Sequence, residues 1–251
     1  NINFDWCEEP QPQTSTQYGI GDILTVNYDD KGIINSHLSA IQNQFEVILS
    51  ISEDAVNKKL VDFLEYFPES LVYVIPPIIG DNFKPIELPL KPYVAISCRD
   101  RAVHRKLISE FYLKFPQLRW ITFRDMVQMS YDEFSSNLKE CMVSVWVDDE
   151  STFGTFPLES MKCGVPVVGK IPDTEPDWLS ENGMWTYDGN KLVELLGTYI
   201  LAWIEGIELT DEVKDKMKET LLPYDTEITK NNILSIFGSL INKRVDSIQS
   251  A

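Results

Sequence analysis

Apolar and polar positions follow two rhythms along the chain. Short, nearly unbroken apolar runs at 23–28 (ILTVNY), 47–51, 72–75, 93–97, 120–123, 142–147 and 165–169 predict β-strands. Several lack polar alternation, which is the pattern of strands covered on both faces. Helical periodicities lie between them. Ser52 stands as an N-cap before Val56, Leu60 and Leu64, and Leu107, Phe111 and Phe115 make a second stripe. Ser130 and Glu133 have capping-box spacing ahead of Phe134 and Leu138. The β-α-β-α succession predicts an α/β fold with parallel sheets and right-handed crossovers.

Punctuation divides the chain. Its first eighteen residues, with Pro10 and Pro12, read as irregular. Pro85, Pro89 and Pro92 mark 85–92 as an inter-domain linker. Residues 1–84 hold three strand signals, too few for a full doubly wound domain, and read as an incomplete N-terminal Rossmann-like portion. Residues 93–222 form the better-defined domain, with four strand signals followed by a helix carrying Leu192, Leu195, Leu196 and Ile200. A final helix over 223–251 is expected to cross back towards the N-terminal portion.

Charge narrows the functional classes. A net charge of −17 over 251 residues argues against a broad nucleic-acid surface or docking on anionic lipid. No run approaches the length of a membrane helix and no signal peptide is seen, so a cytoplasmic setting is the default expectation. Cys7, Cys98, Cys141 and Cys163 lack metal-site spacing and read as buried reduced thiols rather than disulfides. With only His37 and His104 in the chain, a histidine-based zinc site is not expected.

The stretch 142–185 carries the most chemistry. A strand (MVSVWV) meets an acidic turn, then STFGTF, then Pro157 at an expected helix start and Gly164 at its end. A loop leaving a strand's carboxyl end is where open parallel sheets bind ligands. Gly154 allows close backbone approach there, and helix-start amides suit a phosphate. Glu159, one turn in, is placed to accept hydrogen bonds from sugar hydroxyls, although a glutamate there also stabilises a helix dipole by ~0.3–1 kcal/mol without any ligand.

The segment STFGTFPLESMKCGVPVVG resembles the donor-site signature of retaining GT-B glycosyltransferases, especially family 4 (group 1). Phe153, Gly154, Pro157, Leu158, Glu159, Met161, Gly164, Pro166 and Val167 fit that pattern in register. The resemblance implies a GT-B-type Rossmann-like donor domain and places Glu159 on the donor ribose. It places Gly154 and Thr155 at the diphosphate and Phe153 and Phe156 at the transferred sugar, with the contacts of Gly154, Thr155 and Phe156 made by backbone amides. The family's sugar-binding glutamate falls at Ser151, with Glu150 one place early. Pro172-Asp-Thr-Glu-Pro176, Asn182-Gly183 and the 73–85 segment resemble further family turns in the same linear order.

Two more segments extend the likeness. In SCRDRAVHRK, the family's diphosphate-gripping Arg and Lys correspond to Arg101 and Lys106, or to Arg99 and Arg105. In FRDMVQM, Val127 and Met129 either flank the nucleotide base or belong to the core. Asn27-Tyr28-Asp29-Asp30 stands where relatives carry an acceptor-side histidine, and no catalytic residue is assigned. The implied activity is transfer of a sugar, with retention, from a nucleotide-diphosphate-sugar to a glycan, lipid or protein acceptor, with no metal or other cofactor. A non-catalytic nucleotide-sugar-binding or scaffolding relative is the alternative suggested by Ser151, and a sugar-nucleotide epimerase is a third.

Overall fold

The computed structural model describes residues 23–26, 47–50, 72–85, 90–147, 153–173, 175–207 and 209–249. Their strands form two sheets, parallel throughout. The first sheet takes β1 (Ile23–Val26), β2 (Val47–Ser50) and β3 (Val72–Val74) in that spatial order. The second contains β4 (Lys91–Ser97), β5 (Thr122–Asp125), β6 (Cys141–Trp146), β7 (Val167–Lys170) and β8 (Met184–Thr186). Its order is β5-β4-β6-β7-β8. The chain thus starts in the interior of the sheet, moves one way to β5, then reverses past β4. In such sheets the reversal leaves a crevice beyond the strand ends, here between β4 and β6.

Helices cover both faces, as the α/β reading expects. They are α1 (Arg101–Lys114), α2 (Tyr131–Lys139), α3 (Thr155–Lys162), α4 (Gly189–Ile204), α5 (Asp211–Leu221) and α6 (Thr226–Gln249). One core layer joins Val94, Ile96, Val143, Val145 and Val168 to Leu107 and Phe111 of α1 and Leu192, Leu196 and Ile200 of α4. The other joins Ala95, Cys141, Trp146 and Val167 to Leu138, Phe156, Leu158, Met161 and Met217. Neighbouring residues of one strand therefore enter opposite layers. All six residues of β6 are buried, which explains why its sequence shows no polar alternation.

Helix starts are fixed by the residues their sequences offer. The Ser130 hydroxyl accepts from Glu133 N (3.4 Å) while Glu133 Oε2 accepts from Ser130 N (2.9 Å), completing the capping box. Cys98, Cys141 and Cys163 are free and buried. β8 is an addition to the sequence reading, because a three-residue strand is too short to show a period. Pro92, read as linker, lies in β4, where the register with β6 shifts between Lys91 and Val94. A proline has no N–H to give the ladder, so pairing is irregular at that point. The expected helix bearing Val56, Leu60 and Leu64, the segment Asn27–Asp30, His37 and Cys7 lie outside the described residues.

The far side of the second sheet is closed by Asn182, which is fully buried. Its Nδ2 donates to Trp178 O (2.7 Å) and Thr220 Oγ1 (2.9 Å), and its Oδ1 accepts from Trp185 Nε1 (3.1 Å). Replacing it leaves an indole N–H, a carbonyl and a hydroxyl without their partner. Asn182→Ala is expected to lower the unfolding free energy by about 2–4 kcal/mol in urea denaturation.

Candidate functional site

The crevice is bounded by the segments that leave the carboxyl ends of β4, β5 and β6. After β4, Asp100 caps α1, its Oδ1 accepting from Ala102 N (2.6 Å) and Val103 N (3.3 Å). That carboxylate offsets the unfavourable placement of cations in a helix's first turn. Arg101 pairs through its guanidinium with Asp125 Oδ2 at the end of β5. Asp125 Oδ1 is buried with no partner among the described residues. Arg105 Nε donates to Arg101 O (3.0 Å), and exposed Lys106 reaches Glu110 (3.7 Å), one turn further along the helix. The structure thus brings Arg101 to the strand ends and ties Lys106 along α1. Arg99 is exposed in the connecting turn.

After β6, residues 148–152 lie outside the description, and with them Glu150 and Ser151. From Phe153 onward the loop is anchored in the core. The Phe153 ring meets Tyr224 edge to face (5.8 Å), and its carbonyl accepts from Trp178 Nε1 (2.6 Å). Gly154 precedes α3 with φ 68°, a conformation glycine adopts without penalty. A β-carbon there would also lie 2.5 Å from the Trp146 ring. The Phe156 ring is buried against Phe134 (6.1 Å). The rings of Phe153 and Phe156 are therefore core, and what they present at the helix start is backbone.

α3 begins at Thr155, two residues before the expected Pro157 start. Pro157 is tolerated in the third position because the first four helical amides have no intrahelical acceptor. α1, α2, α4 and α5 each have a side-chain cap, whereas Gly154 supplies none to α3, where Thr155 is exposed. At its other end, Val165 N bonds Ser160 O and Gly164 N bonds Met161 O, both at 2.9 Å, closing the helix at the expected glycine.

Glu159 sits one turn into α3, half-buried. Burial pushes its carboxyl up to about 7, and no described side chain donates a hydrogen bond to it. The Tyr131 phenol and the Cys163 thiol lie within its electrostatic reach. One turn on, Lys162 donates to Ile79 O and lies 3.7 Å from Asp81 Oδ1, which ties α3 to the segment after β3.

The loop after β5 completes the crevice. Met126 N bonds Ile96 O (2.9 Å), and Gln128 has φ 55°, an uncommon backbone for a non-glycine residue. Val127 and Met129 flank it, both half-buried, with Met129 packed on the core. Asp125 and Tyr131 were missed by sequence reasoning. A charged residue ending a strand was the available signal for Asp125; Tyr131 gave none. Among the described residues no group of three or more His, Cys, Asp or Glu is placed to hold a metal, and no helix is long and apolar enough to cross a membrane.

Comparison with solved structures bears on this arrangement. The pneumococcal O-GlcNAc transferase GtfA, in complex with UDP and GlcNAc, superposes with a TM-score of 0.59 at 11% identity, covering 84% of this chain and 48% of GtfA. Anabaena Alr3699/HepE, in complex with UDP and glucose, gives 0.61 at 12% identity, covering 86% and 71%. TarM gives 0.60 at 15% identity, covering 86% and 50%. The fold is shared with GT-B glycosyltransferases. The chain spans about half the length of GtfA and TarM. No protein-family model and no curated protein sequence matches it.

Glu159 sets a pH dependence whose sign comes from its raised value. An unfolded glutamate loses its proton near its ordinary value of 4.5, whereas the folded one keeps it to about 7. Between these values the native state holds more protons, so stability falls as pH rises across the window and is flat above it. Glu159→Gln removes this loss. Its stability relative to the parent is expected to grow from pH 4.5 to 7 and level off at no more than about 3 kcal/mol, read from denaturation midpoints at several pH values.

Proposed function

We propose that the crevice between β4 and β6 binds a nucleotide-diphosphate-sugar, and that the chain is part of a glycosyltransferase that transfers the sugar with retention. The observation that carries this reading is Glu159, a half-buried carboxyl with no hydrogen-bond donor among the described residues, one turn into a helix that Gly154 leaves without a side-chain cap. A ribose supplies the missing hydroxyl donors, and a diphosphate suits the amides and the nearby guanidinium. The shared fold adds support, since GtfA and HepE were crystallised with UDP. A uridine nucleotide is therefore the first donor to test.

Each residue then has a physical task. Thr155 and Phe156 offer backbone N–H groups to the diphosphate. Arg101 keeps one part of its guanidinium on Asp125 and offers remaining N–H donors to the phosphates. Charge developing on the departing diphosphate is met by these fixed donors, the electrostatic task a metal performs elsewhere. No metal is invoked. Arg99, Arg105 and Lys106 contribute positive potential from the same turn, and the loop from Val127 to Met129 borders the base. Glu150 and Ser151 fall to the sugar side by sequence likeness alone. The acceptor is a hydroxyl-bearing glycan, lipid or protein.

Two measurements test this. Isothermal titration calorimetry with UDP is expected to show binding that Glu159→Ala weakens roughly 10- to 100-fold, the worth of a charge-assisted hydrogen bond. Unchanged affinity for every nucleoside diphosphate in that variant would overturn the donor-site assignment. Arg101→Ala is expected to reduce UDP affinity about tenfold or more while affecting uridine little, because the lost contact is to phosphate. Equal losses for both ligands would remove Arg101 from the diphosphate site. Binding without turnover of UDP-sugars would favour the scaffolding alternative.

A further inference from the structure

Tyr131 is the first residue of α2, and its side chain, 50% exposed, is held from two sides. Phe83 meets it edge on, with centroids 5.2 Å apart at 90°. The backbone amide of Gly80 faces its hydroxyl, and a β-carbon at Gly80 would lie 2.5 Å from that oxygen, so only glycine permits the approach. The preceding Ser130–Glu133 capping box fixes where the helix, and hence the ring, begins.

The facing surface is the one that carries Glu159. Phe134, one turn after Tyr131, packs on Phe156, one turn before Glu159. That packing brings the Tyr131 phenol within electrostatic reach of Glu159, three residues along the chain from the turn at Gln128. The Gly80 backbone approaches the phenolic oxygen closely, and no described residue accepts the phenol's own proton. A hydrogen-bond donor and an acceptor that meet no partner among the described residues then border one crevice, a pattern complementary to two adjacent hydroxyls.

We infer that Tyr131 is a specificity-determining residue for the nucleoside, donating its phenolic hydrogen bond to one ribose hydroxyl while Glu159 accepts from the other. This rests on the nucleotide-sugar site proposed above. Gly80 then acts through Tyr131 as a positioning residue: its amide occupies one side of the phenolic oxygen and turns the proton towards the ligand. The pair distinguishes a ribonucleotide from its deoxy counterparts, because a missing hydroxyl leaves either the donor or the acceptor unmet.

Tyr131→Phe keeps the ring against Phe83 and removes only the hydroxyl, so the fold is retained. Calorimetry with the full chain would compare UDP, 2′-deoxy-UDP and 3′-deoxy-UDP on the parent, Tyr131→Phe and Glu159→Gln. Tyr131→Phe is expected to weaken UDP binding about three- to tenfold. It should leave unchanged the affinity for whichever deoxy analogue lacks the hydroxyl it served. If the parent binds UDP and Glu159→Gln weakens it while Tyr131→Phe does not, this inference is overturned and the donor site stands. Equal weakening of all three ligands by Tyr131→Phe would also overturn it. A parent that binds no nucleoside diphosphate removes the donor-site reading itself, and this inference with it.

Discussion

The position of the α3 N-terminus depends on a cluster of three indole rings. Trp146 ends β6, Trp178 lies in the connection after β7, and Trp185 lies in β8, with centroid separations of 5.7, 6.3 and 5.8 Å. Rings of this size approach the backbone only where side chains are absent. A β-carbon at Gly154 would stand 2.5 Å from Trp146, and one at Gly169 or Gly183 would stand 2.4 or 2.7 Å from Trp185. The Trp178 indole also holds the Phe153 carbonyl, so the cluster grips both residues that lead into α3. The helix start is thereby set by core packing before any ligand enters.

The same helix is tied to the first sheet's connection. Lys162 reaches the Ile79 carbonyl and Asp81, while Ile79 N donates to Tyr224 O (3.2 Å) and Phe83 packs inside the second core layer. One short segment after β3 is thus held by α3, by the turn before α6 and by α2. Glu159 and Lys162 lie one turn apart on α3, so the residue proposed for the ribose and the residue gripping that segment move as one body. In a chain of net charge −17, the local cations are kept usable by specific carboxylates. Asp100 settles the helix start beneath them, and Asp125 orients Arg101 at the strand ends.

Sequence pattern revealed β4, β6 and β7 well because burial on both faces forces continuous apolar runs, whereas β5, which has no fully buried residue, lies two residues beyond the expected 120–123 and β8 was missed. The capping box at Ser130 and the helix stop at Gly164 were equally legible, since both are local chemistry. Residue type and spacing singled out Glu159, but the nearby Tyr131 phenol comes from α2, which no local window contains. Family likeness put Phe156 at the donor through its backbone amide, and the structure adds that its ring and that of Phe153 belong to the core. Gly154 was read as clearance for a ligand; the structure adds Trp146 as a second reason for a glycine there. Tyr131 escaped notice because its meaning comes from Gly80, remote in sequence. Contacts between distant segments are what a single sequence conceals.

A half-buried carboxyl whose proton is held up to about 7 is a liability for the folded chain alone. Its charge is poorly solvated, and no described neighbour donates to it. A solvent-facing glutamate would avoid that penalty. Sites that hold groups in unfavourable surroundings persist when a ligand meets their needs, trading stability for binding. Hydroxyl donors would favour the ionised carboxylate and draw its proton affinity down. Binding would therefore release a proton below about pH 7 and tighten as pH rises towards that value. On the proposed reading, that penalty would be a source of selectivity, because a ligand rich in hydroxyls relieves it.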